Sequence, residues 1–337
     1  MYKFFIFSIY LILLSLIGRG QGIHFSQYYN APQLVNPANT GLMPQEDFSV
    51  GALYREQWNS VPVPFKTIGA NGDFQLLRNR NITNWMGLGI GFFSDKAGNG
   101  ILSLNKFQTS LAYHVQLDDY NMLSAGFTAG YVQRSIDFER LTFDTQWDGF
   151  EFNTSNPNKE PYERKSLSYL DITAGVNYAF FPNENLYIKA GIGLLHLNRP
   201  NESFYKQKNK LGIRPMANVE IIIKAGDNLI LSPSLYYANQ KKASELVFGS
   251  LFSIALGNEM EFNNSFFAGL YHRLGDAIIP VIGTEFSKFR IMLSYDITIS
   301  PISPANRSQG AVELGLVYKS LYSPRSRGRG SYNCPRF

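Results

Sequence analysis

Cysteine is all but missing: the 337-residue chain holds one, Cys334, close to its end. No disulfide can form within the chain, although export through an oxidising compartment usually brings paired cysteines. Long apolar runs are missing as well. Beyond the first 20 residues no stretch reaches the roughly 18 apolar residues that a spanning helix requires, so a helical membrane protein is excluded and any crossing must be made by strands. Charge is sparse at 17%. The basic excess of +5 is concentrated in Arg325, Arg327, Arg329 and Arg336, so its sign says little about the main domain and does not point to nucleic acid. This tail reads as a solvated end, or as a contact with anionic lipid or peptidoglycan.

Catalytic and metal signatures are equally thin. The four histidines, His24, His114, His196 and His272, have no cysteine nearby and no carboxylate at metal-ligand spacing, which argues against zinc. Each reads as a lumen or interface residue. No Gly-x-Ser-x-Gly elbow is present. The run Gly87 to Gly91 resembles a nucleotide-binding loop only superficially, because apolar alternation continues through Phe92 and Phe93 with no helix start. Asp144, Asp148 and Glu151 crowd one segment, but their spacing does not match a calcium loop, and a solvated loop explains them. The sequence therefore points to no enzyme and no cofactor.

What is there begins with an amino-terminal signal. Lys3 precedes an apolar run from Phe4 to Ile17, which stops at Gly18-Arg19-Gly20. That pattern is a secretory signal peptide over residues 1–20, with the mature chain expected to start at Gln21.

The rest is rich in aromatics (Tyr 20, Phe 26) and glycine (29), and it alternates. From Phe107 to Leu117 the odd positions are Phe, Thr, Leu, Tyr, Val and Leu, opposite Gln108, Ser110, Ala112, His114 and Gln116. Leu170 to Phe180 and Phe289 to Ile299 repeat the pattern, which is that of a strand with two unlike faces. Such segments are about ten or more residues long, where soluble strands cluster near five or six, and that length suits a tilted strand crossing a bilayer. Candidates fall near 48–58, 65–77, 84–94, 101–117, 120–134, 166–181, 184–197, 211–224, 227–238, 245–257, 262–273, 276–287, 288–300 and 309–319. About fourteen strands result, an even number as expected of a bacterial single-chain barrel.

The connections alternate in length. Asp118-Asp119, Pro182-Asn183, Gly226-Asp227, Asn258-Glu259 and Ser287-Lys288 are tight turn sites, while 136–165 and 198–210 are long loops. Short turns are expected on the periplasmic side and long loops outside. The fold class expected is all-β, a transmembrane antiparallel barrel of the outer membrane in contact with its lipid. The expected layout is a signal peptide over 1–20, a periplasmic or plug segment over 21–46, the barrel over 47–320 and a basic tail over 321–337. Lys189 and Arg290 fall on the polar parity, sparing the roughly 2 to 4 kcal/mol that a basic side chain costs at the lipid-facing midplane. Glycines such as Gly89, Gly91, Gly126, Gly130, Gly191 and Gly193 read as sites of strand bending. In the long loop, Trp147, Phe150, Phe152 and Tyr162 stand among Asp, Asn and Pro, as on a partner-binding surface or in a packed loop.

Several segments resemble one family. The stretch Phe25-Ser26-Gln27-Tyr28-Tyr29-Asn30, followed by Leu34-Val35-Asn36-Pro37-Ala38-Asn39-Thr40-Gly41, resembles the opening motif of the PorP/SprF proteins of the type IX secretion system of Bacteroidota. Tyr54-Arg55-Glu56-Gln57-Trp58 resembles their second motif, Gly87-Leu88-Gly89 through Asp95-Lys96-Ala97-Gly98 their third, and Glu313-Leu314-Gly315-Leu316 with Asn333-Cys334-Pro335-Arg336-Phe337 their end. Gly22-Ile23-His24 departs from the Asp-Pro often found ahead of the opening motif.

The resemblance implies a non-catalytic outer-membrane component that works with the type IX translocon and periplasmic components. It would assist secretion or surface anchoring of a partner, such as a gliding-motility adhesin with a type B C-terminal sorting domain, by β-augmentation or loop docking. A channel or transporter for small or hydrophobic molecules is the alternative, since the polar lumen parity fits either. The opening motif can form turns that plug or cap the periplasmic mouth. Tyr54, Arg55 and Trp58 can be partner contacts, or a strand end with an interfacial aromatic and an inward arginine.

Overall fold

The structure is a computed structural model and describes residues 22–43, 46–58, 64–77, 83–98, 102–153, 155–226, 228–241, 243–256, 264–301 and 303–322. The signal segment, most of the basic tail with Cys334, and the turn Asn258-Glu259 lie outside the described residues.

Alternating segments become strands because each can place one face in lipid and the other in a polar interior. Fourteen form among the described residues: β1 (Phe48–Gln57), β2 (Phe65–Leu76), β3 (Asn84–Ala97), β4 (Leu102–Gln116), β5 (Asn121–Ile136), β6 (Ser166–Asn183), β7 (Leu186–Leu195), β8 (Arg214–Lys224), β9 (Leu229–Gln240), β10 (Ala243–Ala255), β11 (Ser265–Arg273), β12 (Ala277–Phe286), β13 (Phe289–Thr298) and β14 (Gln309–Ser320). Each pairs antiparallel with its sequence neighbour, and β1 pairs with β14 from Phe48↔Ser320 to Gln57↔Ala311, closing a barrel. Closure gives every strand a partner on both sides, as a bilayer demands.

Both ends of the barrel chain, Phe48 and Ser320, lie at one rim. The connections there include 117–120, 184–185 and 287–288, whereas the opposite rim carries the long segments 137–165 and 196–213. The expected division into a turn end and a loop end is therefore realised. On β4 Phe107, Leu111 and Tyr113 point outward and Gln108, Ser110, Ala112 and His114 inward and buried. At the turn end the outward rings of Phe74, Phe48, Tyr318 and Phe289 run across β2, β1, β14 and β13 with neighbouring centroids 5.0–6.2 Å apart, a segment of the aromatic girdle that marks a membrane interface.

β5 runs past its sequence-based limit at the loop end, because its ladder with β6 continues to Ser135↔Ser166. β7 instead stops at Leu195, and its pairing with β6 ends at Ala174↔Leu194. His196 takes φ +58 and turns the chain away, and Asn198 then closes the free edge of β6 through bonds to Ile172 N–H and Leu170 C=O.

The lumen is occupied by the chain's own amino-terminal segment. Residues 25–41 lie inside the barrel as three short helical turns, Tyr28–Asn30, Pro32–Val35 and Pro37–Asn39. Ser26, Gln27, Asn36 and Thr40 are essentially without solvent exposure. The segment starts beside Arg55, Arg273 and Asp296, near the loop ends of their strands, and descends to Trp85 and Asp73 near the turn end. It is a plug threaded through the barrel.

Candidate functional site

The plug is held by polar bonds to most of the wall. The N–H groups of Ser26 and Gln27 donate to the two carboxylate oxygens of Glu313 on β14, both at 2.8 Å. The Ser26 hydroxyl donates to Asp296 on β13 at 2.7 Å and accepts from Arg55 and Arg273, each at 2.7 Å. Arg55 pairs with Asp296 at 2.9 Å and Glu313 at 3.2 Å, and Arg273 pairs with Asp296 at 2.9 Å and approaches Glu245 at 3.4 Å. These charges are buried but opposed and hydrogen-bonded, the condition under which a low-dielectric interior tolerates them. The register of β13 on β14 shifts between Tyr295 and Ile297, at Asp296, as irregularities often do where a side chain must be aimed.

Lower down, the Asn36 amide nitrogen lies within 3.2 Å of Asn177 Oδ1, Asn218 Oδ1 and the carbonyls of Val176 and Ile192. The Asn36 oxygen accepts from Ala38 N–H, and Asn177 donates to Asn39. Thr40 C=O meets His114 Nε2 at 2.7 Å, Gly41 N–H donates to Asp73 at 2.6 Å and Gly41 C=O accepts from Trp85 Nε1 at 2.9 Å. Two of the inward glycines that the sequence assigns to bending, Gly126 and Gly89, also make room for the plug. A Cβ on Gly126 would stand 2.5 Å from Ala38 N, and one on Gly89 2.6 Å from the Gln33 side chain.

Arg55 is therefore the inward arginine of the two alternatives, 2% exposed and committed to the plug; a partner outside the barrel cannot touch it. Tyr54 points outward and donates to Glu56 at 2.9 Å, and Trp58 packs edge-on against Phe65 at 5.2 Å. These two share the loop-end rim but are not joined to the aromatic residues of the long loop. In that loop Trp147 and Phe152 pair across a bridge with rings 5.0 Å apart, and both are about half exposed. Phe150, at the turn between them, is 93% exposed. Tyr162 instead stacks on buried Phe138 at 3.9 Å and bridges to Tyr205 of the 196–213 loop. Tyr162 is a fastener between two loops, while Trp147, Phe150 and Phe152 form an exposed apolar tip.

Among the described residues no group of three or more His, Cys, Asp or Glu is placed to hold a metal. Asp148 is spent on its own turn, accepting from the N–H groups of Phe150 and Glu151, each at 2.9 Å.

The model of the type IX secretion system membrane protein PorP/SprF matches residues 17–318. The chain belongs to that family. It is thus a membrane component of the type IX secretion system, and its barrel is of the outer-membrane kind. Among solved structures the PorP/SprF barrel is similar to the Ralstonia pickettii toluene transporter TbuX, with TM-score 0.52 at 12% identity over 86% of this chain and 93% of that one. The monoaromatic hydrocarbon channel CymD gives TM-score 0.50 at 11% identity over 90% and 96%. A deletion mutant of the monoaromatic hydrocarbon channel TodX gives 0.52 at 9% over 86% and 93%. At such identities the likeness is one of fold. No curated protein matches this chain.

Proposed function

We propose that this PorP/SprF protein is a non-catalytic dock that holds or helps export a secreted surface protein, such as an adhesin carrying a type IX sorting domain. The observation that carries the reading is the apolar tip of the 137–165 loop, where Trp147, Phe150 and Phe152 stand in solvent at the rim opposite the barrel ends. Large exposed rings are costly to leave in water and are typical anchors of an interface. The loop is steadied by Phe138, Tyr162 and Phe204 packing beneath it and by the Lys165–Glu139 pair, so the tip is presented on a firm base. A lumen occupied by the plug supports a scaffold rather than an open pore.

In this reading residues 1–20 are a secretory signal that is removed, 21–46 form the plug and its exit, 47–320 the barrel, and 321–337 a basic tail. The turn end faces the periplasm and the translocon's periplasmic components. The loop end faces the cell exterior, where Trp147, Phe150 and Phe152 make the first contact, and Tyr54 and Trp58 border the barrel's rim.

The test is an affinity pull-down of the tagged protein from detergent-solubilised outer membrane after mild crosslinking, read by mass spectrometry. A large surface protein recovered together with type IX machinery, and lost from the Trp147→Ser/Phe150→Ser variant while the machinery remains, is the expected result. Recovery of the barrel alone from both would sink the docking role.

A further inference from the structure

The 196–213 loop leaves the wall after β7 and folds back on itself as a hairpin. Asn201 bridges to Lys210, Glu202 N–H donates to Asn209 C=O at 2.8 Å, and the Asn209 side chain donates to Glu202 C=O at 3.0 Å. The hairpin is fastened to the 137–165 loop, because Tyr205 bridges to Tyr162 and Glu163 N–H donates to Phe204 C=O at 2.9 Å. The two loops thus present one joined face beyond the barrel, and its charge is divided. We propose that this face docks a protein segment that is acidic where it meets the hairpin and apolar where it meets the tip of the 137–165 loop, a reading that rests on the docking role and adds the chemistry the partner must carry.

The 196–213 loop holds four cations, Arg199, Lys206, Lys208 and Lys210, against one carboxylate, Glu202. The four cations are exposed, and among the described residues none has an ion-pair partner. Glu202 does not neutralise them, because its carboxylate is held by Arg134 and the Tyr169 hydroxyl. Across the bridge, Glu163 is paired with Arg164 at 3.6 Å. The apolar tip has the opposite sign: Asp144, Asp148 and Glu151 are exposed around Trp147, Phe150 and Phe152, and no cation among the described residues pairs with them. The 137–165 loop as a whole carries seven carboxylates against four cations.

Unmatched surface charge of one sign steers an oppositely charged partner and rejects a like one. A polymer that is anionic along its whole length would bind the hairpin lysines but meet the three carboxylates of the tip, like charge on like. A protein segment changes character along its length, so it can offer Asp or Glu to the hairpin and apolar side chains to the rings. Height sets the lysines at the hairpin turn apart from lipid phosphates. The outward residues of β6 are apolar up to Leu170 and polar at Ser168 and Ser166, which puts the lipid boundary near Leu170. Tyr162 stands eight residues further along the chain, up to roughly 26 Å of extended backbone and about 20 Å of height at a strand tilt near 40°. Lys206 and Lys208, just past the bridge to Tyr162, are out of reach of the headgroups.

Fluorescence anisotropy tests the basic half, with a fluorescein-labelled decapeptide of alternating Glu and Ser titrated by the full mature protein in nanodiscs of zwitterionic lipid and empty discs as the blank. Saturable binding is expected, weakening roughly tenfold between about 0.05 and 0.3 M salt as screening shortens the reach of the charges. A decapeptide of alternating Lys and Ser should not bind. Lys206→Gln/Lys208→Gln/Lys210→Gln should weaken the acidic peptide about tenfold, whereas Arg140→Gln/Lys159→Gln, which removes exposed cations of the other loop, should leave it within about twofold. In the pull-down from outer membrane, the triple lysine variant should recover several-fold less of the secreted partner while the machinery remains. No saturable binding, binding unmoved by salt or by the triple substitution, or tighter binding of polygalacturonate at equal charge would each overturn the inference. Full partner recovery from the triple variant, with loss from Trp147→Ser/Phe150→Ser, would overturn it and leave the docking role standing. Recovery of the barrel alone from the parent would sink the docking role itself, and the partner chemistry with it.

Discussion

Gly87 of β3 lies directly beneath the backbone of Thr40, so close that a Cβ at 87 would come within 2.6 Å of the Thr40 carbonyl carbon and overlap its oxygen. Backbone cannot swing aside as a long side chain can, so Gly87→Ala must push the plug off its seat. Overpacking of this kind costs about 1–3 kcal/mol. Gly193→Ala is the control, since its Cβ would meet only ordinary contacts at 3.6 Å or more. The expected result is a lower temperature of heat-modifiable migration and faster protease cleavage near residues 41–46 for Gly87→Ala alone.

Arg55 offers a second test. Replacing it with Met removes the cation that Asp296 and Glu313 share at 2.9 and 3.2 Å. Asp296 keeps Arg273, but Glu313 is left with only the two plug N–H groups. A buried charge that loses its partner destabilises by about 3–5 kcal/mol. Adding Glu313→Leu should restore part of the loss, because the orphaned charge then disappears, although the bonds to Ser26 and Gln27 go with it. Thermal loss of the folded gel form in the single and double variants measures the coupling. Equal loss in both would mean that Arg55 acts by volume rather than charge.

Strand content was legible in this chain because lipid outside and polar groups inside enforce period-two alternation, as Phe107 to Leu117 displays. Loop lengths likewise announced which rim is which. The plug was only half legible. Asn36-Pro37 and Asn39-Thr40-Gly41 announced turns, and the resemblance pointed to the opening motif, but nothing local says that Ser26 will meet Asp296, 270 residues away. The signal was present in the wall: Arg55, Asp296 and Glu313 all occupy the inward parity of their strands, and inward charges must find one another. The inward glycines carried a second signal that bending obscured, since a glycine on a strand's inner face is also a place where another backbone can approach. The loop tip was legible as composition. That Tyr162 would stack on Phe138 and leave Trp147, Phe150 and Phe152 outside depends on packing between two loops distant in sequence.

Asn36 ties the plug to β6, β7 and β8 at once. Asn36→Ala removes the donor and leaves Asn177 and Asn218 each short of one bond, a cost of about 1–3 kcal/mol for a buried unsatisfied group. The seat of Pro37 against Gly126 remains, so the plug should loosen rather than leave. In planar bilayers the parent protein is expected to be quiet and the variant to show brief openings. A variant as quiet as the parent would show that the lower seat holds the plug without this residue.

Asp148 sets the presentation of Phe150. Its carboxylate accepts N–H bonds from Glu151 and Phe150, and these hold its pKa below the ordinary value. A depressed carboxylate pKa means that the turn is supported at neutral pH, above the unfolded value of about 3.9. That support fades as pH falls through the lower folded value. Amide-exchange protection at Phe150 and Glu151, corrected for the intrinsic rate, should therefore decline on acidification below about pH 4, while the strand amides of β5 and β6 keep theirs. In Asp148→Ala the protection should be absent at every pH, with the barrel's heat stability unchanged because the group is fully exposed. If the apolar tip is the dock, this variant must also recover less of the secreted partner at neutral pH. Full recovery with the turn demonstrably loosened would move the contact away from Phe150.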